Sequence, residues 1–128
     1  MTTTASPIKT ILVVEDDDVL RAQLGTVLSE NRYQVALVPN ALEALDYLRV
    51  FPSPDLIILD MLTRGMDGWR FLKEREVQWA SVPVIITSTL NVASEEWAKS
   101  LGAIAAFRKP IDLAALLEQV ARSLGSNK

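Results

Sequence analysis

Short apolar runs separated by amphipathic stretches constrain the fold of this chain more than any other feature. Ile11 to Val14, Tyr33 to Val38, Leu56 to Leu59, Val84 to Ile86 and the run from Ile104 alternate with amphipathic segments from one end to the other. This is the pattern of repeated βα units around a buried parallel sheet. Because βα crossovers are right-handed, five such units give an α/β, doubly wound sheet with helices on both faces. No linker or internal repeat interrupts the series.

The amphipathic segments carry their own boundaries. Asp17 or Asp18 caps a first helix whose apolar face is Val19, Leu20, Leu24, Val27 and Leu28, ending near Asn31. Asn40-Ala41-Leu42-Glu43 opens a second in the manner of a capping box, and Leu42, Leu45, Tyr47 and Leu48 carry it to Phe51, where Pro52 and Pro54 stop it. Gly65-Met66-Asp67-Gly68 marks a loop, with Trp69, Phe71, Leu72 and Val77 on the helix that follows. Asn91 or Ser94 opens the fourth helix; Trp97, Ala98 and Leu101 form its inner face, and Gly102 ends it. Asp112 caps a last helix with Leu113, Leu116, Leu117, Val120 and Leu124 inward, closed by Gly125.

A length of 128 residues fits one domain, expected over 9–125 between a flexible tail at 1–8 and another at 126–128. Net charge is -3, and no basic run exceeds Arg108-Lys109, so no direct nucleic-acid partner is expected. Cysteine and histidine are both absent, which excludes disulfides and thiolate metal sites and removes the usual general base. No stretch has the pattern of a secretory signal or the length of a membrane span, so a cytoplasmic protein with no membrane partner is expected.

Polar residues stand at the downstream ends of the runs: Glu15-Asp16, Asp60, Thr87-Ser88 and Lys109-Pro110. Side by side in a parallel sheet they would meet at its carboxyl edge, where ligands of open α/β sheets bind. Three carboxylates, a hydroxyl and an amine in one pocket suit a divalent cation and a phosphoryl group. Singly, each residue has a plainer role: an acidic run at a helix N-terminus, a turn-forming aspartate, a solvated lysine.

In combination these residues resemble the receiver domain of two-component response regulators, over roughly Lys9 to Leu124. The resemblance implies a flavodoxin-like (βα)5 fold in three αβα layers with strand order 2-1-3-4-5. It implies Asp60 as phosphoacceptor, Mg²⁺ (or Mn²⁺) held by Glu15, Asp16, Asp60 and the backbone carbonyl of Leu62, and Lys109 as a second cationic handle before a cis-proline. Met66-Asp67-Gly68 matches the family's loop signature. A hydroxyl at the end of the fourth strand would bind a phosphoryl oxygen. Counting from Pro83 favours Ser88 and counting from Lys109 favours Thr87; Ser88 is preferred. With no histidine in the chain, the phosphoryl donor must be a partner, a sensor histidine kinase or a histidine phosphotransfer protein. The domain would catalyse only its own modification. The chain ends after the last helix, so output through a surface offered to a downstream protein is expected, and the fourth helix, fifth strand and last helix form a candidate homodimer surface.

The chain departs from the family pattern in four places. Arg64 replaces a proline four residues after Asp60, and is read as a solvated loop charge. Ala106 occupies the place of a switching aromatic, with Phe107 on the opposite strand face. Movement would then be sensed by backbone shifts, through Trp97 if that residue is more than core packing. Leu62 and Leu90, which border the path of hydrolytic water, are both apolar, so slow self-dephosphorylation is expected. Two other functions compete with a phosphoacceptor: a pseudo-receiver that binds partners without being phosphorylated, and a Mg²⁺-dependent phosphohydrolase. The second lacks an aspartate at position 62.

Overall fold

The computed structural model describes residues 8–91 and 93–125. Apart from Ile8, the expected tails at 1–8 and 126–128 lie outside the described residues. Strands β1 (Thr10–Val14), β2 (Gln34–Val38), β3 (Leu56–Asp60), β4 (Val84–Ser88) and β5 (Ala105–Arg108) alternate with helices α1 (Asp18–Glu30), α2 (Ala41–Val50), α3 (Gly68–Gln78), α4 (Glu95–Ser100) and α5 (Leu113–Leu124). All four strand pairings are parallel, in the order β2-β1-β3-β4-β5. The architecture is the expected one.

Strand alternation divides the core in two. Ile11, Val13, Leu56, Ile58 and Ile85 pack under α1 and α5 with Leu24, Leu28, Leu116 and Val120. Their neighbours Leu12, Val14, Ile57, Leu59 and Ile86 point the other way, onto Leu45, Leu48, Phe71, Leu72 and Ala98 of α2, α3 and α4. Both sheet faces are covered, which is why these strands carry continuous apolar runs instead of an alternating pattern.

Every helix begins on a side-chain cap, worth about 1 kcal/mol each. Asp17 accepts from Leu20 N, Asn40 from Glu43 N, Asp67 from Arg70 N, Ser94 from Trp97 N and Asp112 from Ala115 N. The first and fourth helices thus start on Asp17 and Ser94 rather than on Asp18 or Asn91. At the other ends, Gly102 and Gly125 have φ of 81° and 76°, which spares a side chain the left-handed conformation.

Some apolar residues of the helices face solvent, Val19 of the expected apolar face of α1 among them. Val19, Leu42 and Val77 are 68%, 49% and 78% exposed, and Trp69 is exposed as well. At 100° per residue, Val19 lies about 140° around its helix from the buried Leu24, and Val77 about 120° from Phe71. The buried stripe of α3 is instead completed by Gly68 and Arg75. Arg75 reaches across the core edge, donating from Nη1 to the carbonyls of Ala80 (3.2 Å) and Val82 (2.7 Å) and from Nη2 to Gly102 (3.5 Å). Burial lowers its pKa.

Gly68 closes against the segment after β3, its N–H donating to Met61 O at 2.8 Å. A Cβ there would run into the Met61 sulfur and stand 2.8 Å from Met61 Cα, a backbone atom that cannot step aside. Gly68→Ala is expected to cost about 2 kcal/mol, read as a lowered urea midpoint.

Candidate functional site

The chain leaves β1 and β3 toward opposite faces of the sheet, so the loops after these neighbouring strands part and open a crevice at their carboxyl ends. Glu15 and Asp16 follow β1 directly, and Asp60 is the last residue of β3. Glu15 is 1% and Asp60 3% exposed. Lys109, just past β5, bridges them: its Nζ lies 2.8 Å from Glu15 Oε1 and 3.3 Å from Asp60 Oδ2. The other oxygen of Asp60 accepts the Leu62 N–H at 3.1 Å, and Glu15 Oε2 accepts the Asp17 N–H at 3.0 Å.

One carboxylate oxygen each from Glu15, Asp16 and Asp60 lie within 4.8 Å of one another. Three carboxylates face a single ammonium group, so negative charge is in excess. Among the described residues, the buried Glu15 Oε1 meets only the Lys109 ammonium, which leaves it a lone pair for a cation. Hard oxygen donors with part of the cluster open to water suit Mg²⁺ or Mn²⁺. The donor set fits the divalent-cation site of a receiver domain.

The electrostatics follow from this crowding. Burial raises the pKa of Glu15; the bond from Lys109 and the Asp17 N–H oppose that shift, the charge of Asp60 adds to it, and the net direction is upward. Burial acts against the charged form of Lys109, but the bond to Glu15 and the charge of Asp60 outweigh it, so its pKa is raised. Replacing Asp60 by Asn removes one of the crowded charges. At an effective dielectric of about 20, carboxylates this close repel by roughly 3 kcal/mol, partly offset by the lost Lys109 contact. Asp60→Asn should therefore raise the melting temperature of metal-free protein by roughly 4 °C. A lowered melting temperature in a chelating buffer would contradict the crowding.

The two candidate hydroxyls differ in position. Thr87 stands in register with Asp60, and its carbonyl accepts the Met61 N–H at 3.1 Å. Ser88 lies one residue nearer the edge, opposite Arg108. Its Oγ accepts from Leu90 N at 3.0 Å and its carbonyl accepts from Lys109 N at 2.8 Å; among the described residues its O–H has no acceptor. Both residues are buried. Ala106 packs against the α2–α4 cluster and Phe107 against the α1–α5 cluster, on opposite faces as their alternation requires. Trp97 is half-buried on the α2–α4 cluster, edge-on to Trp69 at 6.1 Å. Arg108 hydrogen-bonds Asn91, tying β5 to the loop after β4. Arg64 is exposed. The Lys109-Pro110 peptide is cis.

Two supports escaped the sequence reading. Thr63 Oγ1 accepts the Ala41 N–H at 3.1 Å and donates to Met66 O at 2.9 Å, joining the start of α2 to the loop after Asp60. Arg21 reaches back from α1 to the Glu15 carbonyl. Its spacing from Asp18 was the available signal, since residues three apart meet on a helix.

The chain as a whole is similar to known proteins. The sequence profile described as response regulator receiver domain matches residues 11–121. Sporulation initiation phosphotransferase F of Bacillus subtilis (strain 168) is 36% identical over 117 residues, covering 89% of this chain and 92% of that protein. Response regulator MprA of Mycobacterium avium (strain 104) is 31% identical over 119 residues, which cover 92% of this chain but 52% of that one. Among solved structures, the response regulator TrrA of Thermotoga maritima, in complex with Mg²⁺-BeF, superposes with a TM-score of 0.80 at 26% identity, covering 91% of this chain and all of that one. The chain belongs to the response regulator receiver domain family of two-component systems. The pseudo-receiver alternative is not favoured. Among the described residues, no helix is long and apolar enough to cross a membrane.

Proposed function

We propose that residues 9–125 form one phosphoacceptor domain that takes a phosphoryl group onto Asp60 from a phosphohistidine of a sensor histidine kinase or histidine phosphotransfer protein. The observation that carries this reading is the buried Asp60 carboxylate at the crevice, with Lys109 Nζ 3.3 Å from one oxygen and the Leu62 N–H on the other. A carboxylate oxygen of Asp60 attacks phosphorus; the new O–P bond forms as the donor's N–P bond breaks, and the imidazole leaves with the electron pair. A Mg²⁺ or Mn²⁺ ion on Glu15, Asp16, Asp60 and the Leu62 carbonyl would neutralise charge on the transferring group. Lys109, already paired with Asp60, supplies a second positive charge that can follow the phosphoryl oxygens. Ser88 donates its free O–H to another of them; Thr87 is the alternative.

The domain catalyses only its own phosphorylation and dephosphorylation, in the cytoplasm, and signals through a protein surface without touching nucleic acid directly. The surface of α4, β5 and α5 would serve a downstream protein or a second copy. Transfer from a phosphorylated histidine phosphotransfer protein tests the donor and the metal together. Label should move to this chain with Mg²⁺ and stay on the donor in EDTA; transfer that ignores EDTA would overturn the metal's part.

A further inference from the structure

Resting on the reading of Glu15, Asp16 and Asp60 as the metal site, we infer that Arg21 is a positioning residue for it, bracing the peptide that aims Asp16. Asp16 is partly exposed, and among the described residues its carboxylate makes no hydrogen bond, so the backbone, which sets the direction of its Cα–Cβ bond, is what aims it. That backbone is fixed upstream: the Glu15 N–H donates to Val38 O at 3.1 Å, and Glu15 Oε2 accepts from Asp17 N at 3.0 Å. The remaining freedom is rotation of the peptide plane between Glu15 and Asp16, whose oxygen is the Glu15 carbonyl. Arg21 Nη1 donates to that carbonyl at 2.9 Å, while its Nη2 holds Asp18 Oδ1 at 2.6 Å.

The Arg21 side chain is mostly buried, 21% exposed, whereas the Asp18 side chain is 87% exposed. An exposed pair of this kind contributes little to stability by itself. Its geometric consequence is larger. A planar fork held at both prongs cannot swing, so the carbonyl it grips cannot swing either. Supports of this sort behind metal ligands typically change affinity more than tenfold.

Charge and geometry make opposite predictions, which makes the inference testable. Arg21 also places a positive charge near the cluster, and charge alone would repel a divalent cation. If charge dominates, removing it tightens metal binding. If the brace dominates, removing it loosens binding, and lysine, which keeps the charge but has no fork, does not restore it.

The test is Mn²⁺ binding to the full chain, followed by the spin-resonance signal of free Mn²⁺, for wild type, Arg21→Ala, Arg21→Lys and Asp16→Asn. Circular dichroism melts report folding in parallel. Binding weakened about tenfold in Arg21→Ala, and not recovered in Arg21→Lys, is the expected result. Unchanged or tighter binding in Arg21→Ala, or full recovery in Arg21→Lys, would overturn the brace. Asp16→Asn separates the two readings: if it leaves Mn²⁺ binding unchanged, the metal site itself is wrong, whatever Arg21 does. Should Arg21→Ala fail to fold, Arg21→Lys against wild type carries the same decision.

Discussion

Lys109→Ala is expected to destabilise metal-free protein by about 3 kcal/mol, the usual effect of removing one partner from a buried charge pair. The lysine faces two carboxylates that are almost wholly buried, and no other side-chain cation is bonded to either of them among the described residues. At this chain length the change should appear as a melting temperature lowered by roughly 10 °C. Its pH dependence has a definite sign. Glu15 already has a raised pKa in the folded state, and losing Lys109 removes a contact that opposes the rise. A carboxyl with a raised folded pKa contributes stability that is present below its unfolded pKa and lost as pH rises through the folded value. The deficit of Lys109→Ala should therefore be smallest in acid and grow toward neutral pH. Lys109 itself has a raised pKa, so in wild type its contribution persists until pH climbs through that value, above the ordinary lysine range. Thermal melts in EDTA, from mildly acid to neutral buffer for the first and on into strongly alkaline buffer for the second, check both. A deficit that shrinks as pH rises would contradict the assignment of the uncompensated charge to Glu15.

Leu62→Asn should shorten the lifetime of the phosphorylated protein about tenfold, the effect of one hydrogen bond worth roughly 1.4 kcal/mol in the transition state. Leu62 follows Asp60 by two residues, its N–H on the Asp60 carboxylate and its side chain 46% exposed. In the proposed reaction, water attacking the acyl phosphate would approach beside this side chain and Leu90. Neither leucine can hold that water, whereas an amide oxygen can accept a hydrogen bond from it and so orient its lone pair. Decay of phosphorylated protein after removal of the donor measures the effect. An unchanged or longer lifetime in the variant would sink the water-exclusion account.

Local chemistry explains which parts of the structure were legible in the sequence. Helix starts were readable because a cap is a contact between residues three apart: Asn40 with Glu43, Asp112 with Ala115. Strands were readable because burial on both faces writes itself as Ile57-Ile58-Leu59 and Val84-Ile85-Ile86. Periodicity indicates a helix but does not fix the edges of its buried stripe, so Val19 was misplaced. The burial of Arg75 has no local signal in the sequence, because the carbonyls that satisfy it arrive from two turns, one of them far along the chain. The polar residues at the strand ends do come together at one edge of the sheet, but the contact of Lys109 with Glu15 was not legible. Lys109 sits closer to Glu15 than to Asp60, a preference that exists only once β1, β3 and β5 are assembled.

The central claim is that Asp60 accepts a phosphoryl group with help from the divalent cation. Intact-mass measurement after incubation with acetyl phosphate and Mg²⁺ tests it most directly. Wild type should gain one phosphoryl group and Asp60→Asn none. No gain in wild type, or a gain that survives Asp60→Asn, would contradict the account.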